Sequence, residues 1–395
     1  MNNGVAHFLE HMYFKGTPSR TAEELEIEYE MAGAQMNAHT AREYTCFTSH
    51  CLQNDIERSV DSLADVLLNS KISVKDIEAE RKTILREQEE VNTNLEEVLF
   101  DEIHQACYQQ SSLGHTILGS KKNIKNLTRD QMVEYRDTFY TAPNMILVGV
   151  GEVDHTKLTN LAKKFFSKLP SKQVTLKSEP KYIGTEVKLF DKNIPLLYQA
   201  IGFEGPSLHS ADMLSVNVLQ ILLGSWDIST GGGKHIHSSL CTMVAENGWA
   251  RSISSFNHSY SDTGLFGVQM VSDGEDVPTE SLNIEVVAHM AKFCYKIEEF
   301  DLQRAKNILK NQILSQYEGR LDDVCEEIGK QILFFGRRPS VAEMFARIDT
   351  ITTDQVMAVA QKYIFDQDPF ICSIGKALWA LDYNMLRNQT YQWKH

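Results

Sequence analysis

Hydrophobic and polar positions along this chain switch repeatedly between a helical and an extended rhythm. The stretch "GVAHFLEHMYFKG" (4–16) sets small and apolar residues around two histidines and a glutamate, and predicts an amphipathic helix over 5–15. A second helix is expected over 21–33, where Thr21 and Glu24 form a capping box. Two β-rich stretches follow, "AQMNAHT" (34–40) and "EYTCFTSHC" (43–51). Helices are expected at 53–69, 75–91 and 95–107, then a capped helix from Thr128, a strand over 144–151 and a helix over 155–168. The second half gives strands near 186–203, a helix over 210–224 and a glycine loop, "STGGGKHIHSSL" (229–240). Strands at 249–259 and 264–272, long helices through 278–365 and a closing strand complete it. Strands and helices mix without strict βαβ alternation, so the expected class is α+β.

The halves resemble each other. "LTRDQMVEYRDTFY" (127–140) matches "ITTDQVMAVAQKYI" (351–364), with Thr128 opposite Thr352 and Gln131 opposite Gln355, all at an offset of 224. "RKTILREQ" (81–88) matches "AKNILKNQ" (305–312) at the same offset. One gap-free offset over distant segments indicates duplicated domains. The expected division is 1–170, a polar linker over 171–190 within "SKLPSKQVTLKSEPK", and 191–395.

Composition narrows the function. At 395 residues the chain is long enough for two cores. No apolar run approaches the ~18 residues needed to cross a bilayer. Seven cysteines are scattered without a CxxC pair, which suits free thiols in a reducing compartment. The net charge of −14 argues against nucleic acid as a partner and permits a cationic one.

The chemistry concentrates in the first helix. His7 and His11 are four apart and share one helical face, so both imidazoles can reach one ion. Zn²⁺ suits that donor type and takes three protein ligands plus water at a catalytic site. Glu10 lies on the same face, placed to accept a proton from the water. His-x-x-Glu-His is the inverted zincin pattern. The third ligand should come from "IEAERKTILREQEEVNTNLEEVLFDEI", where Glu80 and Glu87 are seven apart, two turns along one side. Shifted by 224, residues 7–11 become "GGGKH", Glu80 becomes Arg304 and Glu87 becomes Asn311. The second copy keeps the frame and lacks the ligands, so one site is expected, in the first domain. His104, His115, Cys46 and Cys107 are expected to be structural.

With these residues in view, the chain resembles the pitrilysin-type (inverzincin) metallopeptidases, and among them most closely the branch of mitochondrial processing peptidase β subunits. The resembling stretches include "NNGVAHFLEHMYFKGT", "GAQMNAHTAREYTCF", "ERKTILREQEEV", "YTAPNMILVGVGEVDH", "SFNHSYSDTGL" and "DYNMLRNQTYQW". The resemblance implies two duplicated α/β-sandwich domains, each a mostly antiparallel sheet packed by helices. It implies one Zn²⁺ per chain held by His7, His11 and Glu87, with Glu10 as general base and Glu80 orienting the site. It assigns Glu97 and Asp101 to a substrate arginine and Phe14 to the residue after the cut. Asn37 and Ala38, in "QMNAHT", would lie on an edge strand that an extended substrate joins by backbone hydrogen bonds.

The activity implied is a zinc metalloendopeptidase cleaving basic N-terminal presequences from imported mitochondrial precursors. The implied partner is an α-type non-catalytic subunit, and the implied location is the matrix, with inner-membrane association as the alternative. The GGG at 231–233 is expected to form a turn before a helix rather than to contact substrate. The rival expectation is a structural core subunit of the respiratory cytochrome bc1 complex, with that complex's subunits as partners. The resemblance also implies a β-hairpin and a transit peptide ahead of the zinc helix. Neither is in this sequence, so the first domain is expected to lack its N-terminal strands.

Overall fold

The computed structural model describes residues 2–109, 111–174, 180–231, 236–376 and 381–392. In chain order the first half contains α1 (Val5–Tyr13), α2 (Ala22–Met31), β1 (Gln35–Thr40), β2 (Thr45–His50), α3 (Ile56–Asn69), α4 (Val74–Val91), α5 (Leu95–Cys107), α6 (Lys121–Asn126), α7 (Arg129–Phe139) and α8 (His155–Phe165). The second half contains β3 (Glu186–Phe190), β4 (Leu197–Glu204), α9 (Met213–Leu223), β5 (Ser225–Asp227), α10 (Ser239–Asn247), β6 (Ser252–Ser259), β7 (Gly264–Ser272), α11 (Thr279–Lys292), α12 (Glu299–Tyr317), α13 (Leu321–Phe335), α14 (Val341–Asp349), α15 (Thr353–Tyr363), β8 (Phe370–Gly375) and α16 (Tyr383–Gln392). The fold is α+β. No helix among the described residues is long and apolar enough to cross a membrane.

Local signals explain most of these boundaries. Thr21 accepts from the Glu24 N–H while the Glu24 carboxylate accepts from the Thr21 N–H, a complete capping box at the start of α2. The same reciprocal cap opens α7 through Thr128 and Gln131 and α15 through Thr352 and Gln355. These two caps stand at the offset that relates the halves.

The chain forms two compact units, neither of them one continuous stretch. The first comprises Met1–Thr93, His115–Ser178 and Gln316–Arg338; the second comprises Asn94–Gly114, Glu179–Ser315 and Pro339–His395. In the first unit α1 lies at the centre of the core. Phe8, Leu9, Met12 and Tyr13 pack with Val66 and Leu67 of α3, Ile77 and Ile84 of α4 and Met132 of α7. β1 and β2 form an antiparallel hairpin running from Gln35↔His50 to Thr40↔Thr45. In the second unit six strands form a sheet in the order β3-β8-β4-β7-β6-β5, antiparallel except for β3 with β8. Helix α5 buries Leu99, Ile103 and Cys107 in a core with Ala200, Phe256, Phe370 and Cys372.

One expected element is absent. Residues 144–151 were expected as a strand, but 145–150 enter no ladder. An apolar run becomes a strand only with a partner, and no strand among the described residues pairs with it. The glycine loop is described only at its ends. Ile228–Thr230 forms a 3₁₀ turn and α10 begins at Ser239. Gly232, Gly233, Lys234 and His235 lie outside the described residues, and with them most of the expected GGG turn.

Candidate metal centre

Helix α1 carries two faces. Its apolar side enters the core, while His7, Glu10 and His11 line the other. Its start is fixed by backbone contact rather than by a side-chain cap. Gly4 takes φ +89°, and a Cβ there would come within 2.5 Å of the Leu118 carbonyl oxygen. Gly119 approaches Asn3 equally closely from the other side, so both positions require glycine.

Helix α4 presents a stripe three and four residues apart: Ile77, Glu80, Ile84 and Glu87. Ile77 and Ile84 are anchored in the core, which aims the two carboxylates at α1. Arg81 fixes the far side of α4. Its guanidinium donates to the carbonyls of Ile124 and Leu127 and lies 5.7 Å from the centre of the Phe8 ring. Gln88 donates to the Gly119 carbonyl at 2.8 Å, tying the last turn of α4 to the loop under Gly4.

The two helices bring five polar groups together. His7 Nε2 lies 3.3 Å from Glu87 Oε1, and His11 Nε2 lies 3.3 Å from Glu87 Oε2. His11 Nδ1 is 3.1 Å from Glu80 Oε2, and Lys15 Nζ is 2.6 Å from Glu80 Oε1. Glu10, 9% exposed, accepts a hydrogen bond from the Thr40 hydroxyl of β1 at 2.5 Å. One donor atom each from His7, His11 and Glu87 falls within 4.8 Å of the others.

Electrostatics follow from this packing. The His11 and then the His7 imidazole hold the Glu87 carboxyl down at about 2. Burial alone would lower the His11 pKa, but Glu87 and Glu80 outweigh it and the net shift is upward.

This donor set fits a dication. Two imidazoles and one carboxylate converge on a shared point, the donor class that zinc takes with a position left for water. The Glu87 Oε2 atom is buried without a hydrogen bond, although an imidazole nitrogen is 3.3 Å away. A buried carboxylate oxygen so placed has a natural partner in a cation. Glu80 on the remote nitrogen of His11 is the usual arrangement that fixes the ring of a metal-ligating histidine.

The other expected site residues are placed as follows. Phe14 is half-buried at the C-terminal end of α1. Asn37 and Ala38 sit mid-way along β1, where Asn37 Oδ1 accepts from the Ala38 N–H at 2.9 Å. No strand among the described residues pairs with the other edge of β1. Glu97 and Asp101 are one turn apart on α5, in the second unit, and Glu97 accepts from Asn94 at 2.7 Å. His104 is structural, with its ring held between the Phe100 carbonyl and the Tyr260 hydroxyl. All seven cysteines are free thiols.

Two site residues escaped the sequence reading. Lys15 continues the His7–His11 spacing by four and could have been found from it. Thr40 meets Glu10 only through the fold, and no local pattern marks it.

Comparison with known proteins matches residues 1–121 to the profile "Insulinase (Peptidase family M16)" and residues 126–309 to "Peptidase M16 inactive domain". The chain belongs to peptidase family M16. Among its M16 relatives, the probable mitochondrial-processing peptidase subunit beta of Arabidopsis thaliana is 41% identical over 394 residues, covering 98% of this chain and 74% of that protein. The mitochondrial-processing peptidase subunit beta of Neurospora crassa is 41% identical over 391 residues, covering 98% and 82%. The Bos taurus subunit is 38% identical over 397 residues, covering 100% and 80%. Among solved structures, a chain of complex III2 from Candida albicans shares the fold with a TM-score of 0.87 at 20% identity, over 99% of this chain and 90% of that one. The five clustered polar residues, Lys15 apart, are His7, Glu10, His11, Glu80 and Glu87, and all lie within the first M16 match.

Proposed function

We propose that this M16 chain is the β-type catalytic subunit of a mitochondrial processing peptidase, a zinc endopeptidase that removes basic presequences from imported precursors. The observation that carries the reading is the convergence of His7, His11 and Glu87 beside Glu10. The relatives at about 40% identity bear that enzyme's name. Net charge −14 suits a basic substrate. The proposed location is the mitochondrial matrix, and the proposed partner is an α-type subunit without the metal motif.

His7 Nε2, His11 Nε2 and Glu87 would hold the zinc. When bound, the ion supplies a Lewis acid that polarises the scissile carbonyl and acidifies a water. Lys15 holds one oxygen of Glu80 and the other oxygen holds Nδ1 of His11, which would leave its Nε2 free to face the ion. The Thr40 hydroxyl occupies Glu10 Oε2, leaving Oε1 to take the water's proton and deliver it to the leaving amine. An extended presequence would lie along the β1 edge that no described strand pairs, at Asn37 and Ala38, with Phe14 against the residue after the cut. Glu97 and Asp101 are the proposed receivers of a presequence arginine.

Glu10→Gln tests the reading. It should keep one zinc per site and lower cleavage of a basic presequence peptide about 10²–10⁴-fold. Cleavage at the wild-type rate would remove Glu10 from the mechanism. The fold shared with a complex III2 chain supports a second reading, a core subunit of a respiratory complex. Such a subunit has no chemical use for the metal triad, so purified chain that binds no zinc at His7 and His11 would favour it.

A further inference from the structure

The first unit holds a second convergence of metal-binding side chains, on the opposite face of the β1–β2 hairpin. Alternation along β1 turns Met36 towards the core and Thr40 towards Glu10, so His39 points to the other side. The register pairs His39 directly with Cys46 of β2. Glu326 of α13 completes the group, with its Oε1 3.3 Å from His39 Nε2. One donor atom each from His39, Cys46 and Glu326 lies within 4.8 Å of the others.

We propose that His39, Cys46 and Glu326 form a second divalent-cation site, selective for a thiophilic ion such as zinc, that braces the β1–β2 hairpin against α13. Three observations favour an ion over a chance cluster. The donors are an imidazole, a thiol and a carboxylate from three separate elements, the mixed set that zinc tolerates and magnesium or calcium does not. The Glu326 carboxylate already draws a cation, with Lys330 Nζ 3.0 Å from its Oε1. The Lys330 side chain is 36% exposed and can swing into solvent when a dication replaces it. Tyr44 donates to the same Glu326 oxygen at 2.9 Å and orients the carboxylate, as partners of ligating carboxylates do. On binding, Cys46 releases its proton to solvent as the sulfur–metal bond forms.

The His7–His11–Glu87 set contains no sulfur, which makes the two sites separable by spectroscopy. Cobalt(II) loaded into the full chain should give an intense thiolate-to-cobalt charge-transfer band, and the zinc content of the wild-type chain should be two per chain. Cys46→Ser should abolish the band and reduce zinc to one, with peptidase zinc retained. His39→Gln should weaken the second site at least tenfold. Lys330→Ala should tighten it, because the competing ammonium is gone; a purely structural His39–Glu326 pair predicts no such gain. Zinc content unchanged by Cys46→Ser, a band that survives Cys46→Ser, or metal affinity unchanged by Lys330→Ala would each overturn the proposal. Should Cys46→Ser fail to fold, the His39 and Lys330 variants still decide the matter.

Discussion

At the scale of single residues, the proposed metal centre is a problem of competing protons. Without metal, the Glu87 carboxyl sits at about 2 against an ordinary 4.5, and its contribution to stability is complete above 4.5 and lost as pH falls towards 2. His11 is raised above 6.5, so its contribution is complete below 6.5 and lost as pH rises through the raised value. Both contributions coexist between pH 4.5 and 6.5. With chelator present, thermal stability should be favoured in that window, and Glu87→Gln should flatten the profile in a melting series. Metal affinity should run the other way, rising with pH as His11 loses its proton, which calorimetric titration at several pH values would show. At this scale the sequence was most legible. His7, Glu10 and His11 are close in the chain, and helical geometry alone puts them on one face. Thr40 and Glu326 were not legible, because each meets its partner only after distant segments have packed.

Among elements, α4 shows how a core sets an active geometry. Ile84 is fully buried between Glu80 and Glu87 on the stripe that faces α1. Ile84→Ala should cost about 2–5 kcal/mol in chemical denaturation. It should also weaken metal binding, because the two carboxylates lose the anchor that aims them. A variant with the stability loss and unchanged metal affinity would show that α4 holds its carboxylates without Ile84. The helices themselves were readable, since capping boxes at Thr21, Thr128 and Thr352 act within four residues. The run at 144–151, expected as a strand, forms none for the complementary reason. Its composition suits a strand, but a strand is made by its neighbour, and the sequence does not say whether one is there.

For the whole molecule, the repeat and the compact units obey different boundaries. Helix α5 lies in the first half of the sequence and packs in the second unit; α13 does the reverse. Amphipathic patterning shows that α5 has an apolar face, but not which core receives Leu99 and Ile103. Fragments 1–174 and 180–395 expressed separately should therefore be poorly soluble, and co-expressed they should purify as one complex. Two independently soluble, cooperatively melting fragments would contradict this. The interleaving also bears on synthesis. The segment Gln316–Arg338 that finishes the unit holding His7, His11 and Glu87 is made after most of the other unit. A growing polypeptide cannot complete that unit first, as tandem modules usually do; both units must mature almost together, after the ribosome has passed residue 338.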